Sequence, residues 1–318
     1  MNTPLVLLNL NPGYDRTLYI NEPSPTPGTY IVGDSVTYGA GKALNVARGL
    51  QMLGHDRYEL INLLGGDIGR IIKGLCIKEG INTNNFFIAE NSRMNTTVVN
   101  QLNGRSETFN EKGPIITEEE IQAFVSFLMK RIVHASGLVI SGSALPQLQP
   151  EALEPVFIAA RQQSIPLYAD INGSWLKTIT AYPLRYLKIN EHEFFNTFGI
   201  SHHDSEAVIA LKSRLHVDNV IVTLGQDGCC AWDQHNRLIT ISSGTTEAVL
   251  NTVGCGDSFF AGLIYSLHFG KSLKEACLFA NACGVANTQS KIPAGFTRAS
   301  VDHYLAHVVR INKEVPYV

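Results

Sequence analysis

Short hydrophobic runs recur along the chain, and each is followed by a polar or glycine-rich turn. Runs of this length between turn residues are typical of strands that are buried on both faces of a sheet. The runs that predict such strands are residues 5–10, 60–64, 137–141, 166–169, 186–189 and 220–224.

Longer segments between these runs have hydrophobic residues three and four positions apart, which is the period of an amphipathic helix. They predict helices at residues 42–53, 258–269 and 273–288, and a glycine follows each of the first two, as is common at helix ends. This alternation of strands and helices predicts an α/β fold with a mostly parallel sheet. Ligands of such folds bind at the carboxyl ends of the strands.

Two segments, at about residues 14–37 and 95–110, break this alternation. They show the apolar–polar pattern of half-exposed strands, and Asn103 and Gly104 form a turn signal inside the second. They therefore predict a small additional sheet. No internal repeat or low-complexity linker divides the chain, so we expect residues 1–318 to form a single domain.

Composition and charge narrow the classes of function. The chain is 45% hydrophobic and 17% charged, which is enough apolar material for a large core. Its net charge is −3 and it has no basic run, so we expect no nucleic-acid partner. The six cysteines contain no Cys-x-x-Cys pair, and no apolar stretch approaches the ~18–20 residues that cross a bilayer. We therefore expect a cytoplasmic enzyme that acts on small molecules and does not contact the membrane.

The segment 251–262, Asn-Thr-Val-Gly-Cys-Gly-Asp-Ser-Phe-Phe-Ala-Gly, carries the strongest chemical signal. Gly254 and Gly256 allow a tight turn, so that backbone N–H groups at the start of the following helix can bind an anion. Asp257 is then placed to accept a proton from a substrate hydroxyl. The same pattern is also common where Asp or Ser simply caps a helix, and that alternative remains open at this point.

A second glycine turn, residues 39–45, reads Gly-Ala-Gly-Lys-Ala-Leu-Asn. It is not a P-loop, because Val36 and Ala43 stand where that motif needs Gly and Ser or Thr. Nor does it match the Gly-x-Gly-x-x-Gly dinucleotide fingerprint. Lys42 and Asn45 could bind an anion or a sugar hydroxyl, although an ordinary surface turn fits the pattern equally well.

Weaker signals lie elsewhere. Asn190 and Glu193 follow a predicted strand and could orient water around Mg²⁺, or they could form a capping box at the next helix. Gly225 and Gly228 bracket a turn that suits nucleotide phosphates or a plain hairpin. Arg93 is one of few cations near the extended segments, and an isolated Arg is usually only solvated.

In their order along the chain, these motifs resemble the ribokinase-like (phosphofructokinase B) family of carbohydrate kinases. The matches run from residues 8–17, Leu-Asn-Leu-Asn-Pro-Gly-Tyr-Asp-Arg-Thr, through residues 141–146, Ser-Gly-Ser-Ala-Leu-Pro, to residues 281–284, Asn-Ala-Cys-Gly. The family usually has Asp at the position of Asn251. Asn there, together with the Asn-Pro pair near the start, is similar to the branch of 1-phosphofructokinases and tagatose-6-phosphate kinases.

The resemblance implies a three-layer α/β/α fold with a small β lid, which closes over the sugar and could pair two subunits as a homodimer. It implies ATP-dependent phosphoryl transfer to a hydroxyl of a sugar phosphate, with Mg²⁺ as cofactor. Asp257 would be the catalytic base, and the backbone of Gly254, Cys255 and Gly256 would form the anion hole.

The resemblance also implies binding roles for the remaining matched residues. The sugar phosphate would be bound by Asp15, Gly41, Lys42, Asn45 and Arg93. The nucleotide would be bound by Lys188, Asn190, Thr223, Gly225, Gly228 and Asn281. Asn190 and Glu193 would hold Mg²⁺ indirectly, through water.

Several positions depart from the family pattern. The usual Gly-Gly-Lys-Gly has gained two Cβ atoms at Ala40 and Ala43, and Ile189 replaces the Pro of Lys-Pro-Asn. Residues 31–35 offer no basic side chain where this branch usually has one. These changes leave the acceptor open. The alternatives are a kinase of an unphosphorylated sugar or nucleoside, and a sugar-phosphate-binding protein of the same fold with little or no catalytic activity.

Overall fold

The computed structural model describes residues 3–23, 26–171, 173–244 and 249–315 of the chain. The strands are β1 (Leu5–Asn9), β2 (Gly13–Ile20), β3 (Asp34–Ala40), β4 (Tyr58–Gly65), β5 (Thr83–Ile88), β6 (Arg93–Asn100), β7 (Arg105–Asn110), β8 (Gly137–Ser141), β9 (Leu167–Asp170), β10 (Leu184–Asn190), β11 (Val217–Thr223), β12 (Cys229–Trp232), β13 (Leu238–Ser242) and β14 (Arg310–Val315). The α-helices are α1 (Lys42–Met52), α2 (Gly66–Lys78), α3 (Glu118–Ile132), α4 (Glu154–Gln162), α5 (Gly173–Ile179), α6 (Glu191–Phe198), α7 (Ser205–Arg214), α8 (Cys255–His268), α9 (Leu273–Asn287) and α10 (Arg298–His307). Short 3₁₀ helices lie at Pro150–Leu153 and Gly225–Asp227.

The described residues form a main sheet of ten strands in the order β14-β13-β12-β11-β10-β9-β8-β1-β4-β5. Seven neighbouring strands of this sheet run parallel to one another: β11, β10, β9, β8, β1, β4 and β5. The last three, β12 to β14, are antiparallel to their neighbours. The carboxyl ends of seven parallel strands therefore lie along one edge of the sheet.

Helices cover both faces of the main sheet, because its strands are hydrophobic on both sides. In β1, for example, Leu5 and Leu7 belong to one core cluster, and Val6 and Leu8 belong to the other. Helices α1, α2, α8, α9 and α10 contribute to the first cluster, and α3 to α7 contribute to the second. The result is three layers, which confirms the predicted α/β fold.

A second sheet of four strands, in the order β3-β2-β6-β7, stands outside the three layers. Pro12 follows β1 and cannot donate to a sheet ladder, so the chain leaves the main sheet there and enters β2 at Gly13. β2 runs parallel to β6 and antiparallel to β3. This small sheet confirms the sheet predicted from residues 14–37 and 95–110, although residues 21–33 lie outside its strands and residues 24 and 25 lie outside the described ranges.

The predicted elements agree with the structure to within a few residues. The strand at residues 137–141 has the predicted bounds, and the helix predicted at 258–269 begins three residues earlier, at Cys255. Within the described ranges, no helix is both long and apolar enough to cross a bilayer.

Candidate active site

Most of the predicted site residues meet where the parallel strands end and the small sheet begins. A cavity of about 270 Å³ lies there. Its lining includes Gly41, Lys42, Arg93 and Glu193, which come from three motifs that are far apart in the sequence. Asn9, Asn11, Gly142, Ser143 and Ile171 complete the lining.

Asp257 lies in the first turn of α8, and its carboxyl group is nearly buried, with 7% of the residue exposed. The N-cap of this helix is Gly254, and no side chain caps it, so the interpretation of Asp257 as a simple cap is wrong. Instead, Asn45 donates a hydrogen bond of 2.7 Å from Nδ2 to Asp257 Oδ2. The structure thus assigns Asn45 a contact with Asp257, in addition to any contact with the sugar.

The pKa of Asp257 is raised above its ordinary value. Burial is the largest cause, because it disfavours the charged form, and the nearby carboxylate of Asp170 acts in the same direction. Lys42, the Asn45 hydrogen bond and Lys188 oppose the rise in pKa. A carboxylate with a raised pKa accepts a proton more readily than one in water, which is what a general base requires.

The turn before α8 has part of the predicted arrangement of backbone N–H donors. Gly254 has φ +80°, a conformation that favours glycine, and the Cys255 N–H donates to Thr252 O at 3.3 Å. Among the described residues, the N–H groups of Gly256 and Asp257 have no acceptor, as expected in the first turn of a helix. The Gly254 N–H also has no acceptor among the described residues, so of the predicted donors only Cys255 is paired, and Asp257 adds a further free N–H.

Two lysines lie beside this turn, and Asp170 bridges them. Lys42 Nζ is 3.3 Å from Asp170 Oδ1, and Lys188 Nζ is 3.1 Å from Asp170 Oδ2. A Cβ atom placed on Gly256 would lie only 3.1 Å from Lys188 Nζ, so this ammonium group is next to the nest. The lysines and the free N–H donors thus lie together at the start of α8.

Asp170 is a site residue that the sequence reasoning missed. It is 1% exposed, and burial alone would raise its pKa, but Lys188 and Lys42 overcome that effect and hold the pKa below its ordinary value. Asp170 in turn raises the pKa of Lys42, against the effect of burial. The available signal was its position directly after the strand predicted at 166–169, at the edge of the sheet where ligands bind.

Asn190 and Glu193 form the capping box of α6. Glu193 N–H donates to Asn190 Oδ1 at 2.8 Å, and Asn190 N–H donates to Glu193 Oε2 at 3.3 Å. The other carboxylate oxygen, Glu193 Oε1, lies 4.0 Å from Lys42 Nζ at the cavity. Among the described residues, no three His, Cys, Asp or Glu side chains form a metal cluster.

The small sheet supplies the other side of the cavity. Asp15 in β2 pairs in register with Asn95 in β6, and Asn95 donates from Nδ2 to Asp15 Oδ1 at 2.7 Å. Burial raises the pKa of Asp15, while the Asn95 hydrogen bond and Arg93 oppose the rise. Arg93 donates from Nη2 to Asn11 O at 3.0 Å, and its buried Nε has no partner among the described residues. Asn95 was missed, although the period of two along a strand places it on the same face as Arg93.

The glycine turn at residues 39–45 is shaped by one glycine. Gly41 has φ +129°, and a Cβ atom there would lie 2.2 Å from Asn9 Oδ1, so a side chain would be strained. Ala40 and Ala43 are buried and fit the core without such a conflict. The two extra Cβ atoms noted in the sequence thus leave the close approach at Gly41 intact.

Three of the predicted nucleotide residues lie at the end of β11 and in the turn after it. Thr223 is the last residue of the strand, and Gly225 and Gly228 have φ +59° and +101°. A Cβ atom on Gly228 would lie 2.0 Å from Ile241 O, so this position requires glycine. The turn therefore has a fixed backbone at the edge of the sheet.

The amide of Asn281, another predicted nucleotide residue, is fully used inside the protein. It is 3% exposed and donates from Nδ2 to Cys277 O at 2.9 Å and to Cys229 Sγ at 3.1 Å. Its Oδ1 accepts a hydrogen bond from Ser243 Oγ at 3.1 Å. These contacts hold α9 against β12 and the segment after β13.

Comparisons with known proteins agree with this arrangement. A family model described as pfkB family carbohydrate kinase matches residues 11–296. The chain is 27% identical over 282 residues to a 1-phosphofructokinase of Borreliella burgdorferi, covering 88% of this chain and 90% of the relative. It is 25% identical over 287 residues to a 1-phosphofructokinase of Bacillus subtilis, covering 89% and 92%.

Solved structures are similar over almost the whole chain. Phosphofructokinase-2 from Escherichia coli in complex with potassium superposes with a TM-score of 0.85 at 25% identity, covering 96% of this chain and 99% of that one. The tetrameric inhibited form of the same Escherichia coli enzyme has a TM-score of 0.83 at 25% identity, with the same coverage.

Proposed function

The chain belongs to the pfkB family of carbohydrate kinases, and from this premise we propose that it transfers a phosphoryl group from MgATP to a hydroxyl of a phosphorylated ketohexose, with Asp257 as the catalytic base. The observation that carries the proposal is the position of the Asp257 carboxylate. It is held by Asn45 at the start of α8, next to the free N–H donors of Gly256 and Asp257 and close to two lysines bridged by Asp170.

The geometry supports a transfer in which the proton leaves the sugar hydroxyl as the phosphoryl group arrives. As the sugar oxygen forms its bond to the terminal phosphorus of ATP, the bond from that phosphorus to the ADP oxygen breaks, and Asp257 takes the hydroxyl proton. Negative charge on the transferred phosphoryl oxygens is stabilised by the Gly256 and Asp257 N–H groups and by Lys188. Lys42 lies between this centre and the cavity, so it can contact phosphate on either substrate.

The residues present fit a magnesium ion that is bound mainly by phosphates and water. Such an ion needs only one or two protein carboxylates and does not need a cluster of protein ligands. Glu193 Oε1 at the cavity and Asp170 beside the lysines are suitable carboxylates, and Asn190 would act with Glu193 through water. When bound, Mg²⁺ supplies positive charge that neutralises the phosphate oxygens.

We assign the nucleotide to the side of the site with the turn after β11. Thr223, Gly225 and Gly228 would line the nucleotide site. Asn281 would not contact ATP directly, but its hydrogen bond to Cys229 would hold the neighbouring strand β12 in place. The glycine positions support this assignment because an open backbone can approach phosphates closely.

The acceptor is proposed to be fructose 1-phosphate or tagatose 6-phosphate. Arg93 supports a phosphorylated acceptor, because it lines the cavity and its Nη1 has no acceptor among the described residues. Asp15 and Asn95 would then bind the sugar hydroxyls. The two relatives named 1-phosphofructokinase favour the same class of acceptor.

An ADP-release assay tests the proposal, with fructose 1-phosphate, fructose 6-phosphate, tagatose 6-phosphate, the unphosphorylated sugars and a nucleoside as acceptors. We expect turnover to be fastest with a ketohexose phosphate, and Asp257→Asn to reduce it by about 10²–10⁴-fold. Wild-type turnover in Asp257→Asn would exclude Asp257 as the base. A free sugar or nucleoside as the best acceptor would overturn the acceptor assignment. Tight binding of a sugar phosphate without any turnover would instead indicate a binding protein.

We further propose that residues 1–318 are one kinase domain whose small sheet acts as a lid and pairs two subunits as a homodimer. Tyr30, Leu102 and Phe109, in and around that sheet, are 57%, 55% and 60% exposed, which is unusual for large apolar side chains. Sedimentation analysis should show a dimer that Phe109→Asp weakens, and a monomeric wild type would contradict the pairing. The six free cysteines support a cytoplasmic location, since thiols persist in reducing compartments, and fractionation of cells would test it.

A further inference from the structure

Arg48 lies in the middle of α1 and is 2% exposed. Its guanidinium group donates to Glu79 Oε2 and Oε1 at 2.6 and 3.3 Å, to Asn45 Oδ1 at 2.8 Å, to Gly39 O at 3.0 Å and to Pro293 O at 3.3 Å. An arginine side chain has five N–H donors and no acceptor, so these contacts use every donor. A lysine in this place has three donors and could not make the same set.

The contact with Asn45 fixes the orientation of an amide. An Asn side chain can rotate by half a turn and exchange its oxygen and nitrogen, unless its partners distinguish them. Because Arg48 only donates, Asn45 must present Oδ1 to Arg48, and Nδ2 then faces Asp257 Oδ2. The orientation of Asn45 is thus set from the side away from the substrate.

This orientation affects the protonation of Asp257. A fixed amide donor stabilises the charged carboxylate and leaves no acceptor for a proton on Oδ2. The hydrogen bond from Asn45 accordingly lowers the pKa of Asp257, against the larger effect of burial and the effect of Asp170. If Asn45 could rotate freely, its oxygen could accept a hydrogen bond from a protonated Asp257, and the neutral acid would be favoured.

Arg48 also connects the parts of the site that must be held together. Gly39 belongs to β3 of the small sheet. Pro293 lies next to the anion turn, since a Cβ atom on Gly254 would be 2.6 Å from Pro293 Cβ. Glu79 follows the end of α2 and balances the charge of Arg48 with a contact of 2.6 Å.

We propose that Arg48 is a positioning residue for the transfer reaction: it orients the Asn45 amide toward Asp257 and thereby keeps the base ready to accept a proton. It touches neither substrate in this arrangement and acts only through Asn45. The inference rests on the proposed function, because it assumes that Asp257 is the base.

The test is the pH dependence of kcat/KM for the best sugar phosphate in wild type, Arg48→Met, Asn45→Ala and the double variant. Methionine is used because its side chain has no N–H donor, whereas a lysine would still donate to Asn45. The acid limb of this profile reports groups of the free enzyme that must be deprotonated. The sugar phosphate titrates identically in all profiles, so differences between them belong to the enzyme. Arg131→Met is the matched control, because Arg131 also pairs with a glutamate, at 3.5 Å, but lies in α3 outside the site.

We expect the acid limb to move upward by about one pH unit in Arg48→Met and in Asn45→Ala. The double variant should move no further than Asn45→Ala, because Arg48 acts through Asn45. Arg131→Met should leave the limb at its wild-type position. An unmoved limb in Arg48→Met, with or without a lower Tm, would overturn the proposal and leave Arg48 a purely structural residue.

Asn45→Ala covers the case in which Arg48→Met does not fold. It removes the amide but leaves the other four hydrogen bonds of Arg48 in place. An unmoved limb in this variant also overturns the proposal. Asp257→Asn separates this result from a failure of the proposed function. An active Asp257→Asn excludes the base itself, whereas an inactive one with an unmoved limb in Arg48→Met excludes only the role of Arg48.

Discussion

The phosphate-binding role of Arg93 leads to the sharpest prediction about the acceptor. Replacing Arg93 with Met removes the charge and all N–H donors. It keeps an apolar chain next to Gly13, because a Cβ atom placed on Gly13 would lie 3.4 Å from Arg93 Cγ. In the structure Nη2 is bound to Asn11 O and Nε is buried next to Gly13, but Nη1 has no acceptor among the described residues and Arg93 lines the cavity. At least one donor is therefore available to a substrate phosphate.

The size of the effect follows from that donor. A hydrogen bond between charged groups contributes roughly 1.5–3 kcal/mol, and each ~1.4 kcal/mol changes a binding constant tenfold. Arg93→Met should therefore lower kcat/KM for a sugar phosphate by roughly 10–150-fold, mostly through KM. For the corresponding free sugar, the change should be only a few-fold, since no phosphate contact is lost.

An ADP-release assay with fructose 1-phosphate and fructose as paired acceptors measures both changes. Arg93→Lys is the matched control, because it keeps the charge but loses the forked donors, and its effect should lie between those of wild type and Arg93→Met. Equal loss of kcat/KM on the two acceptors would show that Arg93 supports the fold of the small sheet and does not bind the phosphate.

Three further predictions concern the other parts of the site and the fold. Asp170→Asn should lower kcat and reduce the free energy of unfolding by about 3 kcal/mol, measured by denaturant titration, because two lysines lose their shared carboxylate; unchanged unfolding would contradict the bridge. Gly254→Ala should reduce kcat at least about tenfold, because a Cβ there would be 2.6 Å from a neighbouring proline. Gly270→Ala is the control: it has a similar φ and no atom within 4 Å of its Cβ, so it should not affect kcat. Equal effects of the two variants on kcat would contradict a role for the anion turn. Burial and the neighbouring His268 lower the pKa of His55 below the ordinary 6.5. The folded state therefore favours neutral His55, and stability is lost as pH falls below about 6.5. The fall in Tm between pH 8 and pH 5 should be smaller in His55→Gln than in wild type, and identical slopes would contradict this.

The sequence predicted those parts of the fold that depend on local patterns. The strand at 137–141 had the observed bounds because five consecutive residues are buried on both faces, which leaves an unbroken hydrophobic run. The antiparallel strands β12 to β14 were not predicted, since their four to six residues alternate weakly and two of them border short turns. Short edge strands depend on their neighbours more than on their own sequence.

The site was predicted where glycine turns mark it and missed where only the folded arrangement defines it. Gly254 and Gly41 are visible in the sequence because their conformations exclude other residues. Asp170 and Arg48 carry no such mark, because an Asp after a strand or an Arg in a helix is usually solvated. Some of their contacts come from distant segments: Lys42, 128 residues away, contacts Asp170, and Pro293, 245 residues away, contacts Arg48.

Two segments of the chain leave the main sheet to form the small sheet, and the two ends of each segment lie side by side. The first pairs Gly13 with Ala40, and the second pairs Asn95 with Asn110. Segments whose ends lie together can be exchanged without disturbing the structure that carries them. The residues proposed to contact the acceptor, Asp15, Asn95 and Arg93, lie on these two segments, whereas Asp257 does not. Related chains could therefore acquire new acceptors through changes in the two segments and keep the phosphoryl-transfer centre unaltered.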